Sequence, residues 1–521
     1  MIRFCLICFL LLFSACKKTG PEPQQVMRLS LAKDPTQFDP RKARDLSDTA
    51  LTRMLFEGLT RLSQTGEVEL AIADKVDVSE DGLQYVFHLR DTCWSNGDPV
   101  TAFDFCTSWK TILDPRFATD IAAQLYCIKN ACKAKFGEIS TDAVGVRALD
   151  PKTLVVELEH PVPYFLQLLS MTYFSPAPSK IAKQNENWSL SPETFVSNGP
   201  FLLHTWKRTD HLTLIKNPRY WEAKIVKMPQ IDFFIAANDT AFRMYEEGKL
   251  DWFGSPLATI PSNALRDLKK ENLLCISPFL GTYLYRLNTA PMILDKKNPL
   301  ANPELRRALS CAIDREAIVG YVLQGGQMAA KSFVPPAMGL QLEERSIDRS
   351  LTLDVSLKDP LTIHFISDER NLAVAQAIQN QWEKKLGIQV ELNALEPKMF
   401  YQRLSKGELQ IAAGSWTADF NDPINFLEVF KYSRGSTNNT GWENRSYIDL
   451  LNRSDVCKNG EERKNLLQQA EAILMEETPI IPLFHFSSNY MKNPNLVDVM
   501  LFPLGILDFR GASFDSEEAK R

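Results

Sequence analysis

Residues 361–395 read LTIHFISDERNLAVAQAIQNQWEKKLGIQVELNAL, and the spacing of their apolar residues decides the fold class. Residues 361–366 are strand-like. Residues 371–386 then place apolar side chains at helical spacing, Gly387 supplies a stop, and residues 388–392 return to a strand. The order repeats with a helix at 399–404 and a strand at 410–413, a βαβ arrangement in which crossover helices join neighbouring strands. On the C-terminal side, residues 460–477 read as a charged amphipathic helix and 480–486 as a buried strand. On the N-terminal side, residues 83–90 (LQYVFHLR) alternate apolar and polar side chains, and residues 91–99 (DTCWSNGDP) are dense in turn formers. Thr101 is placed to cap a helix running to Ile112, with Asp104 completing a near capping box. Residues 153–158 alternate again, and Pro161-Val162-Pro163 is expected to open the next helix. Strands and helices alternate irregularly throughout, so the class is α/β with mixed sheets.

A chain of 521 residues exceeds what one core holds, so two or three packed domains are expected. Hydrophobic residues make up 45% and charged residues 24%, the balance of a globular protein. Net charge is −5 with no basic block, so the electrostatic footprint of a nucleic-acid binder is missing. A mildly acidic surface suits a cationic or zwitterionic ligand.

The N-terminus carries an address. Arg3 precedes an apolar stretch, residues 4–13, and then Ser14-Ala15-Cys16. A basic start, a short apolar core and small residues before a cleavage point make an export signal, too short to span a bilayer. Ser14-Ala15-Cys16 is similar to a bacterial lipobox, in which the cysteine is acylated and becomes the mature N-terminus. Residues 1–15 are then the signal, Cys16 the lipid-bearing residue and 16–25 a flexible tether. The folded part is expected in the periplasm or on the outer face of the cell membrane. Beyond Cys5, Cys8 and Cys16, the cysteines are Cys93, Cys106, Cys127, Cys132, Cys275, Cys311 and Cys457. An odd number leaves at least one thiol unpaired, while Cys127 and Cys132 are close enough in sequence to bridge a loop. None of these has metal-ligand spacing, so no metal is expected.

Enzyme signatures are missing: there is no G-x-S-x-G, H-E-x-x-H, Walker loop or G-x-G-x-x-G after a strand. The six histidines are scattered singly. Carboxylate pairs such as Glu343-Glu344 and Glu461-Glu462 sit in charged runs and read as solvated faces. Chemistry concentrates instead in residues 412–426, AAGSWTADFNDPINF. A strand is expected to end in a small-residue turn that presents Trp416, Asp419, Phe420 and Asn421. Pro423 would then start a helix with Asp422 at its N-terminus.

This segment resembles the ligand-binding loop of the bacterial oligopeptide-binding proteins, family 5 of the extracellular solute-binding proteins, whose pattern is close to A-G-W-x-A-D-Y-N-x-P. The resemblance continues in order along nearly the whole mature chain. It includes Phe56-Glu57-Gly58-Leu59, the block at 83–105 with Trp94-Ser95-Asn96-Gly97, and Pro161 to Phe165. Ser197-Asn198-Gly199-Pro200, Asn217 to Trp221, Gly248 to Asp251, Thr282 to Tyr285 with Asn288, and Leu305 to Leu309 with Ile313-Asp314-Arg315 follow. Any one tetrapeptide is weak, whereas the ordered set is specific.

The resemblance implies a three-domain periplasmic-binding-protein fold: two hinged lobes with mixed sheets plus an inserted domain. Domain I would comprise 26–46, 183–278 and 490–521, domain II 47–182 and domain III 279–489. It implies a monomer that takes short peptides, delivers them to the permease subunits of an ABC importer, needs no cofactor and is not an enzyme. In the family the aspartate pairs with the free α-amino group of the peptide, a role that falls on Asp419. A buried ammonium must meet a fixed anion or be strongly disfavoured. Ser415, Trp416, Thr417 and Asn421 would line the same site, with Asp34 contributed by the other lobe. Backbone pairing would supply sequence-independent affinity. The chain departs from the family at Ala412 and Ala413, where some members carry an arginine for the peptide carboxylate; Arg370 is the cation that could substitute. Pro397 replaces a stacking tryptophan, and Gly281 and Thr417 replace two cysteines. Dipeptides, cell-wall tripeptides, a metal chelate or haem are alternative ligands on this fold, and a surface adhesion lipoprotein is an alternative outside it.

Overall fold

The computed structural model describes residues 25–43, 46–119, 121–340, 357 and 359–515. The export signal, Cys16, the tether up to residue 24 and Glu343-Glu344 lie outside them. Three sheets organise the described chain. The first orders Val26–Leu31, Gln230–Ile235, His211–Lys216 and Phe201–Lys207, with the first pair parallel and the others antiparallel. The second is antiparallel throughout, in the order Ala73–Val78, Gln84–Leu89, Thr153–Glu157 and Val146–Asp150. The alternation in Gln84–Leu89 buries Tyr85, Phe87 and Leu89 in one core with Phe105, Trp109 and Ile112 of the helix Ala102–Leu113. That helix starts as expected: the Thr101 amide and hydroxyl both donate to the Asp104 carboxylate at 2.9 Å.

The third sheet has seven strands and contains the Leu361 motif. It runs Trp252–Gly254, Ile480–Lys492, Cys275–Leu287, Ile411–Thr417, Leu361–Ile366 and Val390–Leu395, with Met328–Ala329 added on Ile480–Lys492. Leu361–Ile366 pairs parallel with both neighbours, and the crossover helices are Glu369–Leu386 and Pro397–Ser405. They cover opposite faces. Val374, Ala375, Ile378 and Trp382 pack with Tyr283, Tyr285, Ile363 and Phe365, while Phe400 and Leu404 pack with Ala412 and Ile366. Asp368 caps the first helix by accepting the Asn371 amide at 2.8 Å, so it begins two residues earlier than expected. Gly387, at φ 68°, ends it in the left-handed conformation that glycine adopts without penalty. The turn uses two further residues, so the strand expected at 388–392 is Val390–Leu395.

Two other expectations change. Pro161-Val162-Pro163 does not open a helix; the short helix Phe165–Leu168 follows it. Pro163 disfavours the helical region for Val162, which postpones the start until both prolines are passed. Cys127 and Cys132 do not pair, and every described cysteine is free. Cys132 is exposed, whereas Cys127 is turned inward, its thiol pushed up to about 12 by burial.

Two long strands, Cys275–Leu287 and Ile480–Lys492, span the third sheet from the Trp252–Gly254 end to Ile411–Thr417. The second runs six residues past the expected end at Phe486. Their mutual register breaks between Pro278 and Thr282. No helix of the described residues is long and apolar enough to cross a membrane.

Candidate functional site

The strand Ile411–Thr417 pairs antiparallel with Cys275–Leu287, matching Ala412 with Arg286, Gly414 with Leu284 and Trp416 with Thr282. It was expected to end at Ala413. The long partner strand instead holds the ladder through Gly281, so Ser415, Trp416 and Thr417 belong to the strand rather than to a turn. Ser415 and Thr417 are exposed on one face, and Trp416 is half-buried on the other. The Ala418 amide donates to Leu280 at 2.8 Å, and the chain then turns.

Asn425 fixes that turn. Its Oδ1 accepts from the Trp416 indole at 3.3 Å and from the Asp419 amide at 3.0 Å. Phe420 is buried and stacks on Tyr164 with ring centroids 4.5 Å apart. Asn421 is half-buried, and its Oδ1 has no partner among the described residues. Asp422 does more than the capping expected of it. One oxygen accepts the Ile424 amide at 3.0 Å, while Arg463 donates to both oxygens at 2.8 and 2.9 Å.

Asp419 has a different environment. Its side chain reaches solvent, and no ion pair engages it among the described residues. The space around it is nonetheless crowded enough that desolvation raises its carboxyl above the ordinary range, opposed by hydrogen bonding from Gln124 and Asn425. Tyr173, half-buried nearby, feels the Asp419 charge, and its sealed hydroxyl has no partner among the described residues.

The structure thus gathers Ser415, Trp416, Thr417, Asp419 and Asn421 into one strand-and-turn unit. Asp34 stands apart, beyond the end of Val26–Leu31. Its oxygens accept from the Trp206 indole at 3.0 Å and the Thr209 amide at 2.9 Å, and no hydrogen bond or ion pair among the described residues joins it to the turn. The Trp206 ring lies between the Arg208 guanidinium at 3.5 Å and the Phe38 ring at 4.6 Å. Arg370 is exposed and lies over the Phe486 ring at 5.9 Å. Sequence reading missed Gln124, Tyr173 and Asn425. Only Asn425 left a local signal, as the polar residue between Ile424 and Phe426.

The description "Bacterial extracellular solute-binding proteins, family 5 Middle" matches residues 67–438. The oligopeptide-binding protein of Bacillus subtilis (strain 168) is 36% identical over 98% of this chain and 98% of its own. The chain belongs to this family of solute-binding proteins. Among solved structures it is similar to a periplasmic murein tripeptide-binding protein in its unliganded open form, 27% identical with a TM-score of 0.81 over 94% of this chain and 97% of that one. It is also similar to the oligopeptide-binding protein of Haemophilus influenzae in complex with RPPGFSPFR, 27% identical with a TM-score of 0.74 over 94% and 99%. A member of this family binds a solute and is not an enzyme, in line with the missing catalytic signatures. The architecture is the multi-domain α/β fold of periplasmic peptide-binding proteins.

Proposed function

We propose that this protein captures short peptides through their free N-terminal amine on Asp419 and delivers them to an ABC importer. It does so as a monomer lipid-anchored at Cys16, in the periplasm or on the outer face of the cell membrane. The observation that carries this reading is the Asp419 carboxylate: accessible, crowded, hydrogen-bonded by neutral groups and unpaired among the described residues. The relatives named for oligopeptide and murein tripeptide binding support a peptide as the solute. Exposed Ser415 and Thr417 beside it offer backbone and hydroxyl groups to an extended chain. Domain I is assigned to 26–46, 183–278 and 490–521, domain II to 47–182 and domain III to 279–489. Asp34 then faces the ligand from domain I and the Asp419 turn from domain III.

Calorimetry with a free tripeptide and its N-acetylated form tests the reading. Acetylation is expected to abolish most of the affinity, and equal affinity for the two would sink amine capture. The anchor has its own test. The mature protein should partition into detergent and lose that behaviour in Cys16→Ser.

A further inference from the structure

A cavity of about 20 Å³ lies where three distant stretches of the chain meet. They are the end of the helix Leu46–Leu55 with Glu57 and Gly58 after it, residues 170–175, and the tail around Asp508 and Arg510. The space holds about one occupant the size of a water molecule. Its wall carries the guanidinium groups of Arg53, Arg61 and Arg510 and the carboxylates of Glu57 and Asp508.

Both carboxylates are already engaged. Asp508, 4% exposed, accepts from the Arg510 amide at 2.9 Å and from its Nε at 2.7 Å. Glu57 accepts from the Tyr220 hydroxyl at 2.9 Å, from Arg61 at 3.3 Å and from Arg510 at 3.5 Å. Arg61 is further paired with Glu222 at 2.7 Å. Arg53 is left over. Its Nη2 donates to the Ser170 carbonyl at 2.9 Å, but its Nε is sealed without a partner, and no carboxylate pairs with it among the described residues. Asp508 and Glu57 act on it only through space, and burial outweighs them, bringing its pKa down to about 10, so it stays charged at neutral pH. An enclosed cation with no anion in contact is costly unless something offsets it.

The rest of the wall supplies donors. The Thr60 and Ser170 hydroxyls are engaged, each donating to a backbone carbonyl at 2.7 Å. Those of Thr172 and Ser175 make no hydrogen bond among the described residues, although the two residues are only 5% and 2% exposed. A water molecule could accept from these groups, yet it would leave the Arg53 charge uncompensated. A halide accepts from guanidinium and hydroxyl alike and cancels that charge, whereas a sulfate or phosphate group exceeds the space.

We infer that this cavity is a site for one small monovalent anion, chloride in an ordinary medium, held by the Arg53 guanidinium with the Thr172 and Ser175 hydroxyls. The ion ties the end of the helix Leu46–Leu55 to residues 170–175 and neutralises the surplus cation beside the Arg510–Asp508 pair. The assignment holds whether or not the solute is a peptide.

Bromide reports the site directly. Crystals of the mature protein grown in sodium bromide and measured at the bromine absorption edge should show an anomalous peak in the cavity, in contact with Arg53. Bromide found only at the surface, or a water in the cavity in its place, would overturn the assignment. In solution, with gluconate holding the ionic strength constant, the melting temperature should rise by roughly 1–4 °C for each tenfold increase in chloride above the dissociation constant. A melting temperature indifferent to chloride counts against the site. Arg53→Met should abolish both the peak and the chloride dependence, and a Met variant that kept either would overturn the role of Arg53. If Arg53→Met does not fold, Thr172→Val removes one donor while sparing the guanidinium and should weaken the chloride dependence; an unchanged dependence would again count against the site.

Discussion

Asp419→Asn retains the shape that Gln124 and Asn425 hold and removes the charge that would face a bound ammonium. Leaving a desolvated charge unpaired costs about 2–5 kcal/mol, so affinity for a free-amine peptide should drop roughly 30-fold or more. The raised Asp419 carboxyl adds a pH signature. Only its ionised form pairs with an ammonium, so wild-type affinity should decline on acidification from a pH above the usual carboxylate range of ~4, whereas the Asn variant stays flat there. Calorimetry across that range reads both effects. Asp422, three residues on, is the contrasting case. Its side chain and that of Arg463 are each 12% exposed and joined through both oxygens. Asp422→Asn should therefore leave peptide affinity nearly intact while lowering unfolding stability by about 2–5 kcal/mol. If the two variants exchanged behaviour, the amine-binding role would belong to Asp422.

Between elements, the helix Gly460–Glu477 clamps the loop ahead of Pro335 onto the third sheet through Glu471. Glu471 is 0% exposed, and one of its oxygens accepts the Phe333 and Val334 amides at 2.9 and 2.7 Å. The Phe333 carbonyl in turn accepts from the Thr282 hydroxyl at 2.8 Å. Burial raises the Glu471 carboxyl from 4.5 to about 7, so the folded state favours its neutral form. Its burden on stability is therefore full above about pH 7 and is relieved as the pH falls towards 4.5. Glu471→Gln keeps an acceptor for the two amides without the charge. Urea unfolding should find it more stable than wild type at pH ~8 by on the order of 3 kcal/mol, with the difference vanishing near pH ~4.5. A Gln variant less stable at the higher pH would show that the ionised carboxylate itself holds the loop. Glu369–Leu386 was legible because its apolar stripe and Gly387 stop are local, although the Asp368 cap that sets its start was not read. The extension from Gly414 to Thr417 was not, since Gly414 and Ser415 have little strand preference and the ladder there is imposed by Cys275–Leu287. Trp416 and Asp419 could be picked out through the resemblance of residues 412–426 to the family's ligand loop. Gln124 and Tyr173 could not, because they reach the turn from distant sequence.

For the molecule as a whole, the candidate residues are divided between two sheets. Asp34 lies beyond the end of the leading strand of the first sheet, the Asp419 turn follows a strand of the third, and no hydrogen bond or ion pair among the described residues joins them. Cys275–Leu287 and Ile480–Lys492 run along the third sheet from its Trp252–Gly254 end, and their register breaks at Pro278 to Thr282. There Leu280 donates to Pro503 at 2.7 Å and accepts from Ala418 at 2.8 Å, so the break touches both the C-terminal tail and the Asp419 turn. A ladder interrupted at this point can bend with little loss of pairing, which suits a hinge built from a few element-terminal residues. A peptide gripped by both lobes binds the closed arrangement better than the open one, and that difference in affinity is what drives closure. Small-angle scattering of the mature protein should therefore show a radius of gyration that falls on saturation with penta-alanine, towards the ~23 Å of a compact chain of this length. Asp419→Asn, at a peptide concentration that saturates the wild type, should retain the larger radius. An unchanged radius for the saturated wild type would mean that binding is completed within one lobe, leaving Asp34 and the first sheet no part in holding the ligand.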